Sequence, residues 1–362
     1  MNVFTLCMET EHLPDERIGH QQVDRVLDGF FTAAKERAER ISPSYLSLWE
    51  TLEKSTIGGK RLRPQIVMTA YAHLGGTDLE AAARVGAAFE LLHTALIVHD
   101  DVIDLDFVRR GQDNVSGVYR RMAETAGEPA EVALHRGLSV GIIAGDLALT
   151  GAFRMLDSVS TDPLTREILA GILDEAVFAS AGGELIDVDF SFAAGSPPLA
   201  EILDMERLKT AVYSFEAPLR AGAVLAGAGT EVASALGRFG RDIGIAYQLV
   251  DDLLGVFGNE SATGKSSMGD LREGKRTVLI AYAAQTRGWA ELSGIIGRPD
   301  MGPEDADRAR SILVDCGARQ YAQDLAADYA ASARSHLECA EVPAGLAAVL
   351  DDVVSSSVNR GR

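Results

Sequence analysis

An all-helical fold is what this sequence predicts, and three observations predict it. Ala, Leu, Glu and Arg fill long stretches of its 362 residues, apolar positions recur at steps of three and four, and alternating Val/Ile/Thr runs are scarce. With 47% hydrophobic and 24% charged residues, there is apolar content for one large core or two ordinary ones. Gly and Pro clusters at Gly58-Gly59, Gly75-Gly76, Gly127 to Pro129, Gly195 to Pro198 and Gly297 to Pro303 separate the helices, and none is long enough to be a flexible linker. The organisation expected is a mobile N-terminal tail over residues 1–20 and one domain over 21–362.

Taken in order, the first well-marked helix follows Gly75-Gly76. Thr77 and Glu80 have capping-box spacing, and Val85, Ala88, Phe89, Leu92 and Leu96 continue the apolar face up to Asp100. A second starts near Gly229-Thr230 and runs through Leu236, Phe239, Ile243 and Val250 to Asp251 and Asp252. Two apolar helices therefore lead into two acidic clusters.

Composition narrows the function. Fifty-three acidic against 34 basic residues give a formal charge of -19, which disfavours nonspecific attraction to nucleic acid or an anionic membrane. An anionic substrate would need a local basic cluster or a metal. The first residues lack the basic and apolar regions of a signal peptide, so no leader is expected. Apolar runs are interrupted by His, Asp or Arg within about a dozen residues, short of the roughly 20 that cross a bilayer, so no transmembrane helix is expected. Cys7, Cys316 and Cys339 lie far apart without a CxxC pair, which points to free thiols and a cytoplasmic setting.

In His99-Asp100-Asp101-Val102-Ile103-Asp104, Asp100 and Asp104 share a helix face and Asp101 lies about 100° around the axis. Three carboxylates in one turn repel unless a cation sits among them, and hard oxygen ligands suit Mg²⁺, which bridges to substrate phosphates. The alternative is a solvated acidic helix end, which a helix C-terminus disfavours. Context favours the metal. Gly58-Gly59-Lys60-Arg61-Leu62-Arg63-Pro64 upstream and Arg109-Arg110 downstream supply cations suited to diphosphate oxygens.

The second cluster reads Tyr247-Gln248-Leu249-Val250-Asp251-Asp252-Leu253-Leu254-Gly255, with Gly264-Lys265, Gly269-Asp270-Leu271 and Gly274-Lys275-Arg276-Thr277 following. A phosphate-cradling P-loop over Gly258 to Ser266 fails by one residue of spacing, and no buried strand precedes it.

Together, GGKRLRP, DDVID followed by RRG, the Lys209-Thr210 pair, and YQLVDD followed by GK and DLREGKRT resemble the trans-isoprenyl diphosphate synthase (polyprenyl synthetase) family from about Lys60 to Thr277. The resemblance implies the isoprenoid synthase fold: a single-domain bundle of antiparallel helices around a deep central cavity, the two aspartate-rich ends facing each other at its mouth. It also implies a homodimer. The activity implied is condensation of isopentenyl diphosphate with an allylic diphosphate. Asp100, Asp104 and Asp251, supported by Asp101 and Asp252, would bind Mg²⁺, three ions with substrate present. Arg109, Lys209 and Lys265 would contact the allylic diphosphate. Lys60, Arg63, His93 and Arg110 match positions that bind isopentenyl diphosphate, with Arg61 in support. Thr210 and Gln248 would face the developing carbocation, and Lys275 would close the site. His99 reads as structural. Two positions depart from the family pattern: Glu184, where glutamine is usual, and Gly255, where a third aspartate is usual.

The growing chain is expected to extend along the helix that carries Asp100. Leu96 and Ala95 lie roughly 6 and 7.5 Å below it at 1.5 Å per residue. By the resemblance, Ala95 leaves room past the farnesyl stage; Phe89, two turns deeper than Leu96, is either a floor or an ordinary core residue, and the expected product is geranylgeranyl diphosphate. Longer or farnesyl products, a noncatalytic subunit of a heteromeric synthase, and a class I terpene cyclase are the competing readings. Two basic diphosphate clusters argue against the cyclase.

Overall fold

Helix α1 (Asp15–Glu39) opens the computed structural model, which describes residues 15–57, 61–192, 195–258, 268–338 and 341–358. Of the twenty residues expected as a tail, 15–20 belong to this helix and the others lie outside the described residues. Short polar side chains and prolines set the next starts. Ser42 accepts the amide of Tyr45 at 3.1 Å and Pro43 occupies the first turn of α2 (Pro43–Thr56). Helix α3 spans Leu62–His73. The cap of α4 (Leu79–Ile103) is Asp78 rather than Thr77, its carboxylate accepting the amide of Ala81 at 3.0 Å. Asn114 caps α5 (Val115–Thr125) in the same way, at 2.8 Å from the amide of Gly117.

Contacts divide the described residues into two compact units, 15–175 with Pro218–Gly229, and Ala176–Ala217 with 230–358. In the first unit, α4 is the core helix, and Phe89, Leu91 and Leu92 are almost fully buried. Its main neighbour is α6 (Ala130–Asp157). Gly137, Gly141 and Gly145 recur every four residues on α6 and let its neighbours come close. A Cβ on Gly145 would lie 2.2 Å from the His99 ring, and one on Gly141 2.5 Å from Val102. The small residues thus fix the acidic end of α4. Both helices are also long and apolar enough to cross a membrane by length and composition, each with a window of mean hydropathy 1.4. These windows tolerate the isolated charged residues that interrupt the apolar runs of the sequence. In α4, 78% of that window is buried inside the fold; in α6, 33% is.

Helix α7 (Pro163–Phe192) runs from the first unit into the second. There α8 (Leu199–Glu206) passes directly into a ten-residue π-helix (Arg207–Glu216); α9 (Ala217–Leu225), which follows it in sequence, belongs to the first unit from Pro218 onward. Helix α10 (Thr230–Phe257) packs on the π-helix through glycine, since a Cβ on Gly240 would lie 2.7 Å from the backbone of Glu216 and one on Gly244 2.6 Å from Ala211. Helix α10 does not stop at the acidic pair but continues to Phe257. Short helices α11 (Gly269–Glu273), α12 (Val278–Ala283) and α13 (Trp289–Leu292) then lead to α14 (Pro303–Asp315), α15 (Ala318–Glu338) and α16 (Ala344–Val358). Leu249, Leu271, Ile280, Leu313 and Ala322 belong to the core of this unit.

The fold is all-helical, as expected. Among the described residues, the strands are Val108–Arg109 and Gln112–Asp113, which pair antiparallel as a two-residue hairpin.

Candidate active site

In the first unit the acidic cluster forms the last turn of α4, with Asp104 as its C-cap. The expected trio of carboxylates separates. Asp101 turns inward, 3% exposed, and accepts Arg109 Nη2 at 2.6 Å and Nε at 2.9 Å. Burial raises its pKa, opposed by Arg109 and reinforced by Asp100 and Asp106. Asp100 stays half-buried, 3.3 Å from Arg109, and Asp104 is exposed. Asp101 therefore anchors Arg109, and the pair at positions 100 and 104 is left toward solvent.

The basic segments around this pair are held in unusual backbone. Arg61, Leu105 and Arg110 are the described non-glycine residues with positive φ, at 50°, 58° and 55°. Arg110 and Gly111 form the turn of the small hairpin, the conformation a two-residue connection of twisted strands requires. Arg61 is committed to the fold: its guanidinium meets Glu90 at 3.0 Å, the carbonyl of Thr56 at 2.9 Å and Asp24 at 3.1 Å. Arg63 is buried at the start of α3. Burial, then Arg63, Arg109 and Arg110, push the half-buried His93 imidazole well below its usual pKa. His93 is thus a neutral hydrogen-bonding group among three guanidiniums. His99 instead lies 3.4 Å from Asp146 of α6.

In the second unit the acids sit inside a helix. Asp252, 4% exposed, accepts Gln248 Nε2 at 2.8 Å and has Lys275 Nζ 3.9 Å away. Burial raises its pKa to about 6 against the pull of Lys275, with Asp270 and Asp251 adding to the rise. Burial also opposes the charge of Lys275, yet Asp252, Asp270, Asp187 and Asp251 outweigh it and hold the ammonium above its usual value. Lys209 on the π-helix is clasped by Asp187 at 2.6 Å and Glu184 at 3.0 Å. The departure at Glu184 thus gives Lys209 a second carboxylate. A Cβ on Gly183 would lie 2.2 Å from the Lys209 backbone nitrogen, so that glycine sets how closely α7 and the π-helix approach. Thr210 and Gln248 are half-buried.

Lys60 and Lys265 lie outside the described residues. Sequence reasoning passed over Glu206, buried at the end of α8, whose carboxylate meets no nitrogen or hydroxyl donor. Burial first, then the charge of Asp252 and proton sharing with it, raise its pKa well above the carboxylate range. No periodic signal separates such a residue from a surface glutamate. Among the described residues, no three Asp, Glu, His or Cys side chains group as they would around an ion. Pairs such as Asp100 with Asp104 still fit Mg²⁺, which takes few protein carboxylates and completes its shell with water and phosphate oxygens.

Along the helix below Asp100, Leu96 is half-buried, and Ala95 and Phe89 are each 1% exposed.

Acid pairs suited to a divalent cation, set beside cations suited to diphosphate in an all-helical fold, define a class of enzyme that acts on diphosphate esters. The polyprenyl synthetase family model matches residues 47–316. A geranylfarnesyl diphosphate synthase of Aeropyrum pernix is 37% identical over 84% of this chain and 90% of its own length. A geranylgeranyl diphosphate synthase of Methanosarcina mazei is 32% identical over 78% and 80%. Among solved structures, a geranylgeranyl pyrophosphate synthase from Corynebacterium glutamicum, complexed with isoprenyl diphosphate and magnesium, superposes with a TM-score of 0.88 at 28% identity, covering 96% of this chain and 100% of that one. The chain belongs to the polyprenyl synthetase family and is a trans-prenyltransferase that makes isoprenyl diphosphates.

Proposed function

We propose that this chain condenses isopentenyl diphosphate with an allylic diphosphate to make geranylgeranyl diphosphate, using Mg²⁺. The observation that carries the reading is the pair of acid-bearing helices, each with cations already seated on carboxylates beside it, in a chain whose structural relative was solved with isoprenyl diphosphate and magnesium.

Asp100 and Asp104 in the first unit and Asp251 in the second are the proposed ion ligands. Asp101 and Asp252 support them by holding Arg109 and by ordering Gln248 and Lys275. Bound Mg²⁺ supplies Lewis-acid neutralisation of the charge that builds on a departing diphosphate. Arg109, Lys209 and Lys265 are assigned to the allylic diphosphate, and Lys60, Arg63, His93 and Arg110 to isopentenyl diphosphate. A neutral His93 donates or accepts without adding charge repulsion to its three arginines. Thr210 and Gln248 offer oxygens to the allylic cation. The apolar wall formed by Leu96, Ala95 and Phe89 keeps water from quenching it. Phe89, almost fully buried, is the proposed floor, and Ala95 the position that admits a chain longer than farnesyl.

A homodimer is supported by apolar side chains left exposed on α6 (Ile142 and Ile143) and on α7 (Phe178 and Phe192). The free thiol of Cys316 accords with a cytoplasmic setting.

The deciding experiment incubates the purified chain with Mg²⁺, isopentenyl diphosphate and dimethylallyl, geranyl or farnesyl diphosphate. The prenyl alcohols are identified after dephosphorylation. A 20-carbon product is expected. A 25-carbon product, matching the Aeropyrum relative's name, would move the floor away from Phe89, and no product with any starter would favour a noncatalytic subunit.

A further inference from the structure

Helix α3 begins through backbone that an arginine rarely adopts. Arg61, its N-cap, has φ 50° and ψ 37°, a left-handed conformation that is costly for an L-residue and open to glycine. The Arg61 carbonyl accepts the Gln65 amide at 3.0 Å, so this residue sets the direction in which the helix leaves. Arg63, two residues on, inherits that direction.

The hold on this segment comes largely from one face of α4. The Arg61 side chain is turned inward, 12% exposed, and its Nη1 donates to Glu90 Oε1 at 3.0 Å and to the Thr56 carbonyl at 2.9 Å. Glu90 is itself 5% exposed. The half-exposed Asp24 of α1 accepts Nε at 3.1 Å. One turn before Glu90, Gly86 seats the other end of the segment, since a Cβ there would lie 3.0 Å from Cα of Pro64. Gly86 and Glu90 are four residues apart and share a face, which His93 continues three residues later. Helix α4 thus grips residues 61 and 64 and leaves Arg63 between the grips, close enough for its charge to help lower the His93 pKa.

Stability alone does not account for the Arg61–Glu90 pair. Desolvation of two buried charges largely offsets their attraction, so what such a pair fixes is conformation. Nor does Arg61 reach outward, because its Nε and Nη1 are both engaged by protein acceptors.

We propose that Glu90 is a positioning residue for isopentenyl diphosphate: by pairing with Arg61 it holds residue 61 in left-handed backbone and so aims Arg63 at the diphosphate, without touching the substrate. The inference rests on the reading of Arg63 and His93 as the isopentenyl diphosphate site, and the test separates the two.

Isopentenyl diphosphate is titrated into the full chain by isothermal calorimetry, with melting temperatures measured alongside. Two double variants remove the ion pair without leaving a buried charge alone, and differ in whether residue 61 accepts left-handed backbone. Arg61→Met with Glu90→Gln is expected to weaken binding about 10-fold, the scale of losing support for that conformation. Arg61→Gly with Glu90→Gln is expected to recover most of the affinity. Glu90→Gln alone, the mildest change and the least able to unfold the chain, should weaken binding by a smaller factor, and parent-like binding in it would overturn the proposal. Equal losses in both doubles would also overturn it, since the guanidinium itself would then be what the ligand requires. A merely structural pair would lower both melting temperatures and leave both affinities alone. That result, with Arg63→Met still weakening binding, would overturn the proposal and leave the site standing. Parent-like binding in Arg63→Met as well, or no binding by the parent chain, would overturn both.

Discussion

The two acidic segments are built in opposite ways. In the first unit the acids finish a helix, two of them reach solvent, and the cations come from short segments in left-handed backbone at Arg61 and Arg110. In the second unit the acids lie within a continuous helix, Asp252 is buried, and Lys209 comes from a π-helix held close to its neighbours by Gly183 and Gly244. Strained backbone of this kind persists only where surrounding structure over-determines it, and π-helical turns often mark functional sites. The first arrangement buries Asp101 against Arg109 but leaves Asp104 exposed, and stores strain in loops. The second buries Asp252 and Glu206 and relies on packing and a proton shared between them to tolerate their charge.

The largest effect that tests this contrast is on turnover. Asp100→Ala is expected to lower kcat by about 10³-fold, the scale of losing one preorganised electrostatic group, with little change in melting temperature because the side chain lies at a partly exposed helix end. Asp252→Ala should lower both, since it strips Gln248 and Lys275 of a buried partner. Equal melting temperatures for the two variants would erase the distinction between the clusters.

Packing comes next. Gly183→Ala drives a methyl into the Lys209 backbone and is expected to cost about 1–3 kcal/mol, read in a denaturant titration, and to displace Lys209 from Asp187. In the other direction, Glu206→Met removes a buried carboxyl that no nitrogen or hydroxyl donor serves and relieves its repulsion with Asp252, and should stabilise the chain by about 1–3 kcal/mol in the same titration.

The smallest effect is on pH dependence, and the two clusters should differ in sign. His93 has a folded-state pKa below its unfolded value of 6.5, so the unfolded chain takes up that proton first and stability falls as pH drops through 6.5. Asp252 is raised from 3.8 to about 6, so the folded chain holds its proton more tightly and stability falls as pH rises from about 4 to 6. Melting curves between pH 4 and 8 should flatten on the acid limb near 6 in His93→Gln, and over the 4-to-6 window in Asp252→Asn. A variant that leaves its own window unchanged would remove that residue from the account.

Helix α4 was legible because Val85, Ala88, Phe89, Leu92 and Leu96 repeat at helical spacing, and the acidic and basic segments were legible because charge clusters stand out in a chain of net charge -19. Those are local properties, carried by the order of residues along one element. Other features were not local. Asp101 facing Arg109, Glu184 sharing Lys209 with Asp187, and Glu206 lying beside Asp252 each depend on which way a side chain turns once its helix is packed. The π-helix has no periodic signature of its own, and glycines such as Gly145 and Gly183 declare themselves only when another element arrives within 3 Å. The sequence by itself therefore determined the helical class, the residue types at both acidic segments and the family resemblance. Only the tertiary structure decided which acids are buried, which cations they hold, and that Asp270 occupies the space beside Gly255, because burial and proximity across tens of residues are properties of packing.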